Sequence, residues 1–195
     1  EYTLKGELVD RDDLTVVASE TVKFIPESAD GAEETVFTFD ASGLAGHTLV
    51  AFETLLLGDT EIACERELSS EPQTVYFPAI ATSARAEDGG KLVCAAPDSA
   101  VTDTVSYRNL IPGITYVMRG RLLDAGTGSA VRDSSGKAVT AVTSFVPEER
   151  DGTADVVFRF DASDTGGKIM AAFEELTRNG VTVASHEDLL DEAQT

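Results

Sequence analysis

Basic residues are scarce in this sequence, which has fifteen lysines and arginines against thirty-five aspartates and glutamates, for a formal net charge of −20. A chain that binds nucleic acid or an anionic membrane needs clustered Lys and Arg to contact phosphates, so we expect neither partner. Long apolar runs are missing too, and no stretch approaches the ~20 apolar residues of a membrane-spanning helix. The surplus of carboxylates indicates a well-hydrated, self-repelling surface.

Cysteine and histidine are also few, with two of each in the chain. Cys64 and Cys94 lack the spacing of a zinc site, so we expect no metal centre and no cofactor. Two alternatives remain for these cysteines, namely a disulfide between the two halves of the chain or two small buried hydrophobic residues. The acidic stretch Asp10–Asp13 could hold calcium in a loop, but it lacks the spacing of an EF-hand.

The chain contains two copies of one sequence pattern. YTLKGELVD from Tyr2 matches YVMRGRLLD from Tyr116, and FTFDAS recurs as FRFDAS. In the later parts the offset is constant, since 174 − 53 and 194 − 73 both give 121. We therefore expect two domains, residues 1–77 and 78–195, the first of which lacks its opening strands.

Both copies consist of short runs rich in Val, Phe, Thr and Tyr that are broken by Gly, Asp and Asn. Asn179-Gly180 is the strongest short hairpin signal, and DVVFRF alternates between two faces of a strand. The second copy carries two further strands in front, near Ile80–Ala86 and Val101–Tyr107. No stretch has helical periodicity, so we predict an all-β fold of tandem immunoglobulin-like β-sandwich domains.

Several strands place a polar residue on the face that carries their apolar residues. These residues are Thr82, Asp103 and Glu174 in the second copy and Glu53 in the first. A buried carboxylate is costly, because desolvation raises its pKa until it protonates or finds a partner, and two facing carboxyls would share one proton. The alternative is that these residues lie at an edge or on the solvent side.

Three segments of the second copy together carry a family resemblance. AAFEEL followed by HEDLLDEAQT, with TDTVSYRNLIPGITY upstream, resembles the VaFE-repeat or T-Q ester-bond domains, which are stalk modules of Gram-positive surface adhesins. That family forms an internal ester between a threonine on the first strand and a glutamine on the last. The resemblance implies that Thr82 is the nucleophile and Gln194 the acyl donor, with Asp103, Glu174 and His186 as assisting groups.

The implied chemistry gives each group a role. A neutral Glu174 carboxyl can donate a hydrogen bond to the Gln194 carbonyl, while His186 takes the threonine proton and delivers it to departing ammonia. Ser83 and Thr104 are alternative hydroxyls near Thr82. Strand alternation favours Thr82, because the other two lie on the faces opposite the apolar residues.

The first copy departs from this pattern. Glu53 and Gln73 are present but vestigial, because the threonine and aspartate strands are missing and Glu65 stands in the position of His186. We therefore expect an ester only in the second copy. A segment of another chain could fill the place of the missing strands.

The resulting functional prediction is a stalk module of a bacterial adhesin. It would be extracellular, at the cell surface and wall-anchored through regions outside this chain, with adjacent repeats as partners and host ligands bound by other domains. The alternative is a ligand-binding sandwich that contacts a host protein or glycan without a cross-link. An enzyme is not expected, because the reaction runs once and the sequence has no nucleophile elbow of a hydrolase.

Overall fold

The computed structural model describes all 195 residues, which form two compact units, Glu1–Phe77 and Pro78–Thr195. Both units consist of antiparallel strands, and the chain has one short 3-10 helix at Glu71–Gln73. The all-β prediction is therefore confirmed. The structure contains no helix that is long and apolar enough to cross a membrane.

The first unit is a single five-stranded sheet. Its strands are β1 (Tyr2–Asp10), β2 (Val16–Phe24), β3 (Thr48–Leu57), β4 (Thr60–Glu65) and β5 (Thr74–Tyr76). Their order is β2-β1-β3-β4, and β5 pairs with the beginning of β3.

The second unit is a sandwich of two sheets. Its strands are β6 (Ala79–Ala86), β7 (Ser99–Arg108), β8 (Tyr116–Asp124), β9 (Thr140–Phe145), β10 (Gly152–Phe160), β11 (Met170–Arg178) and β12 (Val181–His186). One sheet has the order β10-β7-β6 and the other β12-β11-β8-β9. Three strands facing four are typical of the immunoglobulin-like sandwich, which confirms the predicted fold class.

The core of the second unit follows the alternation of its strands. Val156 and Phe158 of β10 are fully buried, and Phe160 is 7% exposed. Gly120 of β8 makes room for them, because a Cβ at this position would lie 2.5 Å from the Phe158 ring. The same glycine pairs with Glu174 of β11, so the tight packing lies directly beside the polar residues of the core.

The predicted hairpin at Asn179-Gly180 is present between β11 and β12. Both residues have positive φ, 51° and 77°, as a two-residue turn of this kind requires. A register shift between Leu176 and Thr177 then places His186 directly opposite Glu174.

The FTF motif of the first unit does not form a strand, although its counterpart is β10. Residues 31–40 are irregular. In the second unit β10 obtains its ladder hydrogen bonds from β7, and the first unit has no strand in that place. The motif therefore has a strand-like sequence but no neighbouring strand to pair with.

Both alternatives for the cysteines are wrong. Cys64 and Cys94 are free thiols, and both are exposed. Cys64 lies on β4, all of whose residues are exposed because this edge of the single sheet carries no second layer. Cys94 lies in the exposed loop between β6 and β7.

The acidic stretch Asp10–Asp13 forms the turn between β1 and β2. Asp10 is buried and lies 2.5 Å from His47, and its other carboxyl oxygen accepts a hydrogen bond from the Asp12 amide. The Asp13 carboxylate accepts hydrogen bonds from Thr15. These carboxylates satisfy local backbone and side-chain donors, and the chain has no cluster of three or more His, Cys, Asp or Glu arranged to hold a metal ion.

Candidate functional site

The turn that follows β12 carries Gln194 into the space between the two sheets of the second unit. The Ala84 amide of β6 donates to the Ala193 carbonyl at 3.0 Å, and the Ala172 amide of β11 donates to the Gln194 carbonyl at 3.1 Å. Lys91 Nζ donates to the Ala193 carbonyl at 2.8 Å as well. Because one strand of each sheet binds the turn, the Gln194 side chain is fully buried.

Thr82 and Gln194 are in direct contact in this buried space. Gln194 Nε2 donates a hydrogen bond to Thr82 Oγ1 at 2.9 Å, although the two residues are 112 positions apart. The amide oxygen of Gln194 accepts a long hydrogen bond of 3.4 Å from the Asp188 amide. Thr104 instead donates to Asp155 on the exposed face of its strand, so Thr82 is the hydroxyl that meets the glutamine.

Asp103 and Glu174 form a buried carboxyl pair beside this contact, 0% and 1% exposed. The two groups influence each other, yet none of their four oxygens has a partner at hydrogen-bond geometry. Burial, together with neighbouring Asp103, raises the pKa of Glu174 to about 10. Burial also raises the pKa of Asp103, whereas Glu174 and the Thr82 hydroxyl lower it. Glu174 therefore keeps its proton at neutral pH.

His186 lies at the edge of the site and forms an ion-pair contact with Asp191, which no sequence pattern had indicated. His186 Nε2 is 3.1 Å from Asp191 Oδ2, and it makes no hydrogen bond to Thr82. The other Asp191 carboxyl oxygen accepts a hydrogen bond from the Ala193 amide at 2.8 Å. The backbone carbonyl of Asp191 accepts one from the Gln194 amide at 3.1 Å. Asp191 thus orients the histidine and shapes the turn that carries the glutamine.

No sequence pattern singles out Asp191. It is one of four acidic residues between His186 and Gln194, in a segment without strand alternation. Its spacing, five residues after the histidine and three before the glutamine, has meaning only once the turn is known.

The first unit keeps the framework of this site, with its glutamate and glutamine, but Glu65 and Ser70 stand in the places of His186 and Asp191. Glu53 pairs in register with Glu65. In the second unit its counterpart, Glu174, pairs with His186 in the same way. The Ser70 carbonyl accepts from the Gln73 amide at 3.2 Å, so the turn is built as in the second unit, with serine in place of Asp191. Burial raises the pKa of the half-buried Glu53 carboxyl.

The carboxyl pair makes the stability of the second unit depend on pH. Glu174 keeps its proton up to a pKa of about 10 in the folded chain, against an ordinary value of 4.5. Between these two pH values the folded state binds more protons than the unfolded state, so the free energy of unfolding falls as pH rises. In a Thr82→Val chain, which cannot form an ester, we expect a fall on the order of 1 kcal/mol per pH unit.

Urea unfolding followed by circular dichroism at several pH values measures this slope. Adding Glu174→Gln to the same chain removes the titrating group and should flatten the slope. An equal slope in both chains would contradict the assignment of the proton to Glu174.

Comparison with solved structures finds two crystal forms of a bacterial adhesin from Mobiluncus mulieris that contains intramolecular disulfide, isopeptide and ester bond cross-links. The TM-scores are 0.47 and 0.46, with 17% and 18% sequence identity. Each match covers 60% of this chain and 55% of the other, so this chain spans about half the length of those structures. No curated protein sequence matches the chain.

Comparison with protein families gives a match over the whole chain. The family described as "T-Q ester bond containing domain" matches residues 1–77 and again residues 78–195. This result confirms the resemblance inferred from the sequence motifs. The chain therefore belongs to the family of T-Q ester bond containing domains.

Proposed function

We propose that the second unit joins Thr82 to Gln194 through an intramolecular ester. The observation that carries the proposal is the buried 2.9 Å contact between Thr82 Oγ1 and Gln194 Nε2, across 112 positions of sequence. The leaving nitrogen already touches the attacking oxygen, so the folded chain holds both reactants together. Such positioning converts a very slow reaction into an intramolecular one with a high effective concentration.

The reaction exchanges one acyl bond for another. Thr82 Oγ1 attacks the Gln194 side-chain carbonyl carbon, the new C–O bond forms, the bond to Nε2 breaks, and ammonia leaves. The hydroxyl proton ends on the leaving nitrogen. The basic groups available to move it are Asp103, which lies beside the Thr82 hydroxyl, and His186, which Asp191 orients.

The neutral Glu174 carboxyl is our proposed donor for the oxyanion that develops on Gln194. A carboxyl that keeps its proton at neutral pH can donate a hydrogen bond where a carboxylate cannot. The site is closed to solvent, since Asp103, Glu174 and Gln194 are at most 1% exposed. Exclusion of water also protects the finished ester from hydrolysis.

We propose that this chain is a load-bearing stalk module of a bacterial surface adhesin, located outside the cell. The cross-link ties a residue near the beginning of the second unit to one near its end, so that force bypasses the sandwich. Neighbouring repeats of the same protein are the proposed partners. The reaction consumes its own glutamine and runs once, so the module is not an enzyme.

Intact mass spectrometry tests the ester. The purified chain should be lighter than its sequence by about 17 Da, the mass of one ammonia, and Thr82→Val or Gln194→Leu should each abolish this loss completely. Two matched controls should retain it. Ser83→Ala removes the adjacent hydroxyl, and Gln73→Leu removes the equivalent glutamine of the first unit. Unshifted mass in freshly folded protein, with no later loss, would rule the ester out.

A further inference from the structure

The residue before Gln194 is tied at two points to the part of the chain that carries Thr82. The Ala193 carbonyl accepts one hydrogen bond from the Ala84 amide at 3.0 Å and another from Lys91 Nζ at 2.8 Å. Ala84 lies on β6, on the same strand as Thr82, and Lys91 lies in the loop that follows β6. The two hydrogen bonds therefore hold the backbone of the proposed acyl donor against the strand of the nucleophile.

A tight turn at the end of β6 fixes where the Lys91 side chain begins. The Ala86 amide donates to the Gly90 carbonyl at 2.8 Å, and the Gly89 amide donates to the Ala86 carbonyl at 2.9 Å. Gly89 has a φ of 84°, a conformation that other residues rarely adopt. The Asp88 carboxylate accepts a further hydrogen bond from the Gly90 amide at 2.8 Å. Because these hydrogen bonds close the turn, Lys91 starts from a defined position beside the strand.

Lys91 contacts two consecutive carbonyls of the turn that carries Gln194. Besides its contact with Ala193, it donates a longer hydrogen bond of 3.4 Å to the Glu192 carbonyl. An ammonium group has three donors, and a hydrogen bond from a charged donor is about twice as strong as a neutral one. The Gln194 amide oxygen, by contrast, accepts a weak hydrogen bond of 3.4 Å from the Asp188 amide. The direction of the Gln194 side chain therefore depends on how firmly its backbone is held.

The alternative role for Lys91 is to offset negative charge. The segment before Gln194 is acidic and contains Glu187, Asp188, Asp191 and Glu192. The hydrogen bonds of Lys91, however, go to backbone carbonyls of this segment and not to its carboxylates. Such contacts have a direction, which a pure charge effect lacks. Lys168 distinguishes the two roles, because it lines the same cavity of about 360 Å³ as Lys91 without a side-chain hydrogen bond to the turn.

We propose that Lys91 is a positioning residue for the reaction between Thr82 and Gln194. By holding two carbonyls of the turn, Lys91 keeps the Gln194 side chain against the Thr82 hydroxyl and restricts other orientations of the turn. It takes no part in bond making or proton transfer, because its ammonium group is directed at the backbone. This role rests on the proposed ester and adds a residue from an exposed loop to the buried groups of the site.

The rate of ammonia loss tests this role in the full chain, made by cell-free synthesis and followed by intact mass spectrometry. Lys91→Met should slow ester formation about fivefold, the effect of losing one partly solvated, charge-assisted hydrogen bond, and the reaction should still reach completion. Lys91→Arg keeps a charged donor of similar reach and should restore most of the rate. Lys168→Met removes the same charge from the same cavity and should leave the rate unchanged.

Two further measurements separate positioning from general stabilisation of the fold. In a Thr82→Val chain, which cannot form the ester, Lys91→Met should speed hydrogen exchange of the Ala84 and Ala172 amides, which donate to the turn. The urea midpoint of the second unit should not change, because the Lys91 side chain is exposed and lies outside the core. The ratio of ester-formation rates between the parent and Lys91→Met should also be the same at every pH, since Lys91 moves no proton.

Several results would overturn the positioning role. An unchanged rate in Lys91→Met, or unchanged exchange of the two amides, would show that Lys91 does not hold the turn. Equal slowing by Lys168→Met, or no rescue by Lys91→Arg, would contradict a directed contact. Slowing that accompanies a lower urea midpoint would indicate a loss of stability instead. Failure of the ester itself is distinguishable, because the parent chain would then lose no ammonia at all.

Discussion

Under mechanical load the ester-bonded second unit should not unfold, whereas the same unit in a Thr82→Val chain should lengthen. Thr82 and Gln194 are 112 positions apart, and an extended chain spans about 3.4 Å per residue, so the variant should gain about 380 Å of contour length. In the parent chain the covalent path runs from Thr82 directly to Gln194. The residues between them then carry no force.

Single-molecule force spectroscopy on the full chain measures this difference. The first unit, for which we expect no ester, provides the same extension in both chains and serves as an internal reference. Ser83→Ala is the matched control and should behave like the parent. A full extension of the second unit in parent protein whose mass shows the ester would contradict the load-bypass proposal.

Replacement of Glu174 by leucine should slow ester formation by a factor of about 10² to 10³, the usual effect of removing one donor from an oxyanion site. The pKa of about 10 keeps the Glu174 carboxyl protonated at neutral pH, where it can donate. Glu174→Gln keeps a hydrogen-bond donor of the same size, so it should slow the reaction much less than leucine. The fraction of chain that has lost ammonia, followed by mass spectrometry over time after synthesis, gives the rates.

The first unit supplies the control for this experiment. Glu53 is the counterpart of Glu174 on the open sheet of the first unit, and Glu53→Leu should leave the rate unchanged. Equal rates of ester formation in Glu174→Leu and the parent would contradict a role for Glu174 in the reaction. A folded Glu174→Leu chain, verified by circular dichroism, is needed for this comparison.

The sequence determined the architecture of the second unit because strand and turn signals are local. Alternation in β6, β7 and β11 correctly placed Thr82, Asp103 and Glu174 on buried faces, since side chains of a strand alternate whatever it packs against. The left-handed preference of Asn179-Gly180 set the hairpin, whereas the pairing of His186 with Glu174 also requires a register shift between Leu176 and Thr177 that the turn does not specify.

Features that depend on partners distant in sequence became visible only in the folded chain. Residues 31–40 have a strand sequence but no strand, because a ladder needs a neighbour and β7 has no counterpart in the first unit. Cys64 and Cys94 are exposed for a related reason, as they lie on an uncovered edge strand and in a loop. Asp191 joined the site only through a turn held by both sheets, because its contacts with His186 and the Gln194 backbone arise from folding and not from any periodicity.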